Sequence, residues 1–139
     1  MDIRQKLKSQ RIYFDGGFGT LLQDKGLKAG ELPEIWNISN PQVVTEIHKS
    51  YLAAGCDIIK ANTFGANCLK FGDEGEFCLE NIVSSGLLCA KKAVADFGKE
   101  AEKYIALDIG PLGRFLKPLG DLDFEKAVEI FAKTVKLGV

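Results

Sequence analysis

A parallel α/β fold is predicted by two observations along the 139 residues. A short apolar segment runs into a polar, glycine-bearing turn three times over, and helical periodicity fills the stretches between. Ile12-Tyr13-Phe14 leads into Asp15-Gly16-Gly17-Phe18-Gly19-Thr20. Ile58-Ile59 leads toward Asn62-Thr63-Phe64-Gly65-Ala66-Asn67, and Tyr104-Ile105-Ala106-Leu107 leads into Asp108-Ile109-Gly110-Pro111. Strands that alternate with helices pair in parallel, and ligands gather at their C-terminal ends, where these turns fall.

Taken in order, Asp2 is placed to cap a short first helix with Ile3 and Leu7 on one face, a plug for the bottom of a sheet or barrel. The first strand is expected at 11–15, and Leu21 and Leu22 begin a brief helical turn. Residues 26–36 read as a long ordered loop punctuated by Gly30 and Pro33, with Leu32, Ile35 and Trp36 as its own small core. Asn40-Pro41 starts a helix, since Asn can cap free N–H groups and Pro at the first position loses no hydrogen bond. Val44, Ile47, Tyr51 and Leu52 form its apolar stripe, and Gly55 offers a left-handed stop. A second strand follows at 57–62.

Leu79, Ile82, Val83, Gly86, Cys89, Ala90, Ala93 and Phe97 mark the next helix, which ends near Gly98. The third strand is expected at 104–108. The last helix begins near Asp123, with Phe124, Val128, Phe131, Ala132 and Val135 as its packing face. The units average about 45 residues, a length suited to a TIM-type (β/α)8 barrel with elaborated top loops. Three units cannot close a barrel, so residues 1–139 are expected to be the N-terminal portion of a larger, truncated barrel domain.

A net charge of −1 gives no electrostatic footprint for nucleic acid or an anionic membrane, which favours a small-molecule or protein partner. The apolar runs are too short to span a bilayer, and residues 1–10 are too polar for the hydrophobic region of a signal peptide. The expected location is cytoplasmic. Cys56, Cys68, Cys78 and Cys89 lie ten to twelve residues apart, without a C-x-x-C pair, and His48 is the one histidine. Four reduced thiols, mostly buried, fit that spacing better than a zinc site, and His48 reads as a packing or surface residue.

Asp15-Gly16-Gly17 joins a carboxylate to two residues that allow positive φ and close backbone approach. The carboxylate suits a substrate ammonium and the turn's N–H groups suit a carboxylate, so together they fit an amino acid. Read alone, Asp15 fits an Asx turn equally.

The wider text, from Asp15 to Gln23, Leu32-Pro-Glu-Ile-Trp-Asn37, Asn40-Pro with Ile47-His48 and Tyr51, Ala54 to Ile59, Asn62 to Asn67 and Asp108 to Pro111, resembles the homocysteine S-methyltransferase family. Asn62-Thr63-Phe64-Gly65-Ala66-Asn67 resembles its methionine synthase branch, whose N-terminal domain binds homocysteine. The resemblance implies a (β/α)8 barrel in which zinc, held by three cysteines, binds homocysteine as the thiolate that attacks a methyl group. In that branch the methyl arrives on cobalamin and is replenished from methyltetrahydrofolate, so cobalamin- and folate-binding domains are implied partners. Betaine- and S-methylmethionine-dependent enzymes share the barrel and the first turn, and are the alternative, as is a non-catalytic amino-acid-binding module.

By the same resemblance, Asp15, Gly16 and Gly17 contact homocysteine. Thr63 and Phe64 end strand two, with Asn62 and Asn67 offering polar contacts at the pocket mouth. Asp108 orients ligand or backbone groups, or makes a turn bond before Gly110-Pro111. Trp36 and Glu34 are candidates for the mouth. The family's zinc cysteines match none of the four here and are expected beyond Val139, so this piece alone is expected to bind neither zinc nor cobalamin, to be inactive and to self-associate.

Overall fold

The computed structural model describes residues 2–98 and 102–139. Three chain segments align in parallel in chain order: Phe14 bridges Ile58, and β1 (Ile58–Lys60) pairs with β2 (Tyr104–Ala106) in the register Ile58 with Tyr104, Ile59 with Ile105 and Lys60 with Ala106. Each strand is shorter than its apolar stretch in the sequence. The first reduces to the single Phe14 bridge, flanked by the bonds from Asp15 N to Ile58 O and from Asp57 N to Tyr13 O. Tyr13 and Phe14 are both exposed, because nothing among the described residues covers that side of the segment.

Helix α1 (Ile3–Ser9) is capped as expected, the Asp2 carboxylate accepting from Arg4 N at 3.2 Å. It does not act as an apolar plug, since it buries none of its residues. Lys6 docks it instead: its Nζ lies 3.5 Å from Asp57 Oδ1, donates to Glu102 O at 3.2 Å and sits over the Tyr104 ring. Asp57 and Glu102 precede β1 and β2, so α1 rests at the N-terminal end of the sheet.

After α2 (Gly19–Asp24), the loop tightens into a 3-10 turn at Pro33–Ile35 and a short helix, α3 (Trp36–Ser39). Its apolar residues form no separate core: Leu32 and Ile35 pack onto Ala66, Phe71, Leu79, Ile82 and Val83, and Trp36 packs onto the cluster of Leu22, Val44 and Ile47. Helix α4 (Pro41–Ala53) starts at Pro41 as expected, but the Asn40 side chain makes no cap, its amide donating to Ser39 Oγ instead.

Helices α4 and α5 (Leu79–Phe97) form the main layer over the sheet, with Leu52, Ile59, Ala90 and Ala93 in one cluster. Gly86 permits a close crossing: a Cβ there would lie 2.7 Å from Asn37 Nδ2. Helix α6 (Phe124–Gly138) follows β2 and buries Ala127, Ile130 and Thr134, with Thr134 donating to Ala66 O at 3.0 Å. The packing face expected from the sequence is only partly used: Phe131 packs onto Leu112, Leu122, Ala127 and Ile130 and Ala132 is half-buried, but Phe124, Val128 and Val135 are exposed.

Candidate functional site

The three polar turns meet at the C-terminal end of the sheet around a cavity of about 410 Å³. Asp15, Gly16 and Gly17 line one wall, Lys60 and Asn62 come from the end of β1, and Phe64 and Asp108 form the opposite rim. Glu34, delivered by the 3-10 turn, closes a further side. Six of the seven residues expected to contact substrate therefore converge.

Thr63 is the seventh and does not line the cavity. It is fully buried, and its hydroxyl donates to Asp108 O at 2.8 Å and accepts from Asp108 N at 3.1 Å. It thereby staples the second turn to the third. Gly110 N adds a bond to Phe64 O at 2.8 Å, and a Cβ at Gly110 would strike that carbonyl, so the approach needs glycine. Asp108 keeps its side chain on the cavity while its backbone makes the staple. Burial raises its carboxyl pKa above the usual range, with Lys60 opposing and Asp15 adding to the effect.

Asn62 is held by a buried amide pair. Its Nδ2 donates to Asn37 Oδ1 at 2.9 Å and Pro33 O at 3.0 Å, while Asn37 Nδ2 donates to Asn62 O at 2.8 Å and Ile82 O at 3.2 Å. This network ties the loop bearing Glu34 to the end of β1. Glu34 itself is buried, with Oε1 accepting from Gly65 N and Oε2 without a hydrogen-bond partner among the described residues. Asn67 turns back to accept from Leu69 N and leaves the mouth, and Trp36 lines a different hollow beside Gly30.

The Asp15 side chain is 1% exposed and already committed. Its Oδ2 accepts from Lys60 N at 2.9 Å, and Lys60 Nζ lies 2.8 Å from Oδ1, an ion-pair contact without hydrogen-bond alignment. Burial lowers the Lys60 pKa, but contact with Asp15 and the charges of Asp15 and Asp108 outweigh it and raise the net value. Neither Gly16 nor Gly17 has positive φ. Gly16 is needed for close approach, since its Cβ would lie 3.0 Å from the Tyr51 hydroxyl, which donates to Gly17 O.

Lys60 and Tyr51 were not singled out as site residues from sequence. Tyr51 falls on the apolar stripe of α4, and its hydroxyl is the only sign that it does more than pack. Lys60 could have been found as a charged residue ending an otherwise apolar strand.

The cysteines do not converge on the cavity. Cys56 is buried, with Sγ donating to Phe14 O at 3.4 Å, and burial pushes its thiol pKa up. Cys78 and Cys89 are buried, while Cys68 is half-buried in a separate hollow beside Asp73, Lys126 and Lys133. Among the described residues no three His, Cys, Asp or Glu side chains are grouped to hold a metal, so the residues present do not fit a zinc site. No described helix is long and apolar enough to cross a membrane.

The chain is a parallel α/β structure with a polar pocket at its strand ends and paired glycines in its first turn. Comparison with known proteins narrows this. Residues 12–139 match the family described as homocysteine S-methyltransferase, and the chain belongs to that family. It is 26% identical to methionine synthase of Mycobacterium leprae, over 96% of this chain and 12% of that protein. It is 30% identical to methionine synthase of Mycobacterium tuberculosis, over 84% of this chain and 10% of that protein. The chain thus spans about a tenth of the length of these curated relatives. Among solved structures, the metallated homocysteine methyltransferase MmuM of Escherichia coli superposes with a TM-score of 0.79 over 97% of this chain and 52% of that one, at 20% identity. That likeness concerns the fold.

Proposed function

We propose that this chain supplies the amino-acid-binding end of a methionine synthase-type homocysteine S-methyltransferase, built on the first three units of a (β/α)8 barrel. The observation that carries the reading is the convergence of Asp15, Gly16, Gly17, Asn62, Phe64 and Asp108 on one strand-end cavity. The family match and the methionine synthase relatives support it.

In this reading homocysteine enters with its amino-acid end toward the first turn. The turn N–H groups receive its carboxylate, and Glu34 and Asp108 favour its ammonium, while the Asp15 carboxylate is paired with Lys60. Phe64 covers the apolar part, and Thr63 serves the pocket through Asp108. Zinc and cobalamin are requirements of the complete protein. Among the described residues no three His, Cys, Asp or Glu side chains group to hold the metal, so thiol activation falls to other parts of the complete protein.

The methyl donor of the complete protein is proposed to be methylcobalamin recharged from methyltetrahydrofolate. The test offers the complete gene product methylcobalamin with methyltetrahydrofolate, betaine or S-methylmethionine, each with homocysteine, and follows methionine. Methionine from the first donor system alone is the expected outcome, and turnover with betaine or S-methylmethionine alone would place the protein in a sibling branch. Titration calorimetry with L-homocysteine separately tests the pocket, and absence of binding would overturn the reading.

A further inference from the structure

The first turn presents three consecutive peptide groups whose carbonyls are each held by a side chain. Lys60 Nζ donates to Asp15 O at 3.3 Å and Gly16 O at 3.4 Å, and the Tyr51 hydroxyl donates to Gly17 O. The cis peptide among the described residues is remote, at Lys117-Pro118, so these three are trans. In a trans peptide the N–H points opposite to its C=O. Fixing the carbonyls therefore fixes the N–H groups of Gly16, Gly17 and Phe18, each pointing away from its carbonyl's partner. None of the three has an acceptor among the described residues. Unpaired donors held in a row await an anionic partner or water.

The same lysine solves an electrostatic problem. A buried carboxylate at Asp15 would repel an anion seated on the adjacent amides, and the ammonium 2.8 Å from Oδ1 cancels that charge. We propose that Lys60 and Tyr51 are positioning residues that preorganise the Gly16, Gly17 and Phe18 amides for the α-carboxylate of the substrate. They grip the turn by its carbonyls, and Lys60, although it also lines the cavity, acts here through the turn. Asp15 thereby serves to hold Lys60, and the substrate's ammonium is left to other acceptors. This rests on the reading that the pocket takes homocysteine.

The Tyr51 phenol suits the role, since burial, with the charge of Asp15, raises its pKa and keeps it a donor at neutral pH. Gly16 suits it as well, because a larger residue would meet that hydroxyl.

The experiment compares binding of L-homocysteine and of its carboxamide, which differ in the group the amides would receive, by titration calorimetry on the complete gene product. Wild type is expected to favour the carboxylate by about tenfold or more, the range for a charge-assisted contact. Tyr51→Phe should narrow that preference by about threefold to tenfold, and the charge-neutral pair Asp15→Asn with Lys60→Met by about tenfold or more. The double substitution avoids leaving a buried carboxylate unpaired, and thermal melts confirm that each variant is folded. An unchanged preference in both variants overturns the inference while leaving the pocket assignment standing. A wild type that binds homocysteine without preferring the carboxylate overturns the inference alone, and one that binds neither compound overturns the pocket assignment with it.

Discussion

His48 lies fully buried with its ring 4.8 Å from that of Phe18, and neither ring nitrogen has a hydrogen-bond partner among the described residues. Burial lowers its pKa from 6.5 to about 4, against a small opposing pull from Asp15. In the unfolded chain the same imidazole takes up a proton near pH 6.5, so between 6.5 and 4 the unfolded state binds more protons than the native one. This contribution to stability is complete above pH 6.5, falls as pH drops and levels off below about 4. The loss over the window is about 3 kcal/mol. Urea midpoints at pH 7 and 4.5 should differ much less in His48→Leu than in wild type, and equal slopes would show that the imidazole is not buried neutral. Gly16 offers a second residue-scale test. Gly16→Ala places a methyl 3.0 Å from a hydroxyl that is itself tied down, and should cost about 1–3 kcal/mol and weaken ligand binding. Gly19→Ala, at a position with nothing within 4 Å, should be neutral or stabilise by up to about 1 kcal/mol. Similar melting points for the two would remove the close-approach argument. The glycine pair was legible in the sequence, but its reason was not, because the neighbour that demands it comes from a helix thirty-odd residues away.

Helix α6 shows what periodicity can and cannot reveal at the scale of an element. Its start at Asp123 was legible, as were the boundaries of α4 and α5, since each has a turn signal beside an apolar stripe. Its buried face was legible only in part, through Phe131 and Ala132. Phe124, Val128, Phe131 and Val135 form one stripe and Ala127, Ile130 and Thr134 another, about a quarter turn away, so the apolar arc is wider than any one contact. The rest of the molecule meets the narrower stripe, where small Ala127 and the Thr134 bond to Ala66 O allow close approach. Thr134→Val keeps the shape but orphans that carbonyl, and should cost about 1–3 kcal/mol in a denaturant titration. A neutral result would mean that water replaces the hydroxyl. The strands show the converse limit: apolar composition located all three, but their lengths depend on neighbours, so the first keeps only the Phe14 bridge. The site followed the same division. Polar turns were visible as text, whereas Lys60 and Tyr51 act through backbone carbonyls that no residue pattern encodes.

For the whole molecule, the sheet has one protected strand and two open sides. β1 is buried between its neighbours, whereas β2 is only half-buried along its length and the Phe14 segment is exposed. Open strand edges template pairing with other chains, and contiguous exposed apolar surface drives association. Helix α6 adds exposed apolar surface of its own, where Phe124 is 64% and Val128 is 50% exposed. Residues 1–139 expressed alone should therefore self-associate. Light scattering should report a mass above the monomer, and amides of residues 104–106 should exchange faster than those of 58–60. Replacing Val128 with Glu charges the stripe without touching the buried face of α6, so it should lower the associated fraction while moving the melting point by no more than about 0.5 kcal/mol equivalent. The same preparation should retain no stoichiometric zinc after dialysis, because its cysteines lie apart, and one zinc per chain would overturn their assignment as packing residues. A monodisperse monomer with uniform exchange protection would show that the three units cover themselves in solution, and would turn the preferred reading from part of a barrel enzyme to a self-sufficient amino-acid-binding module.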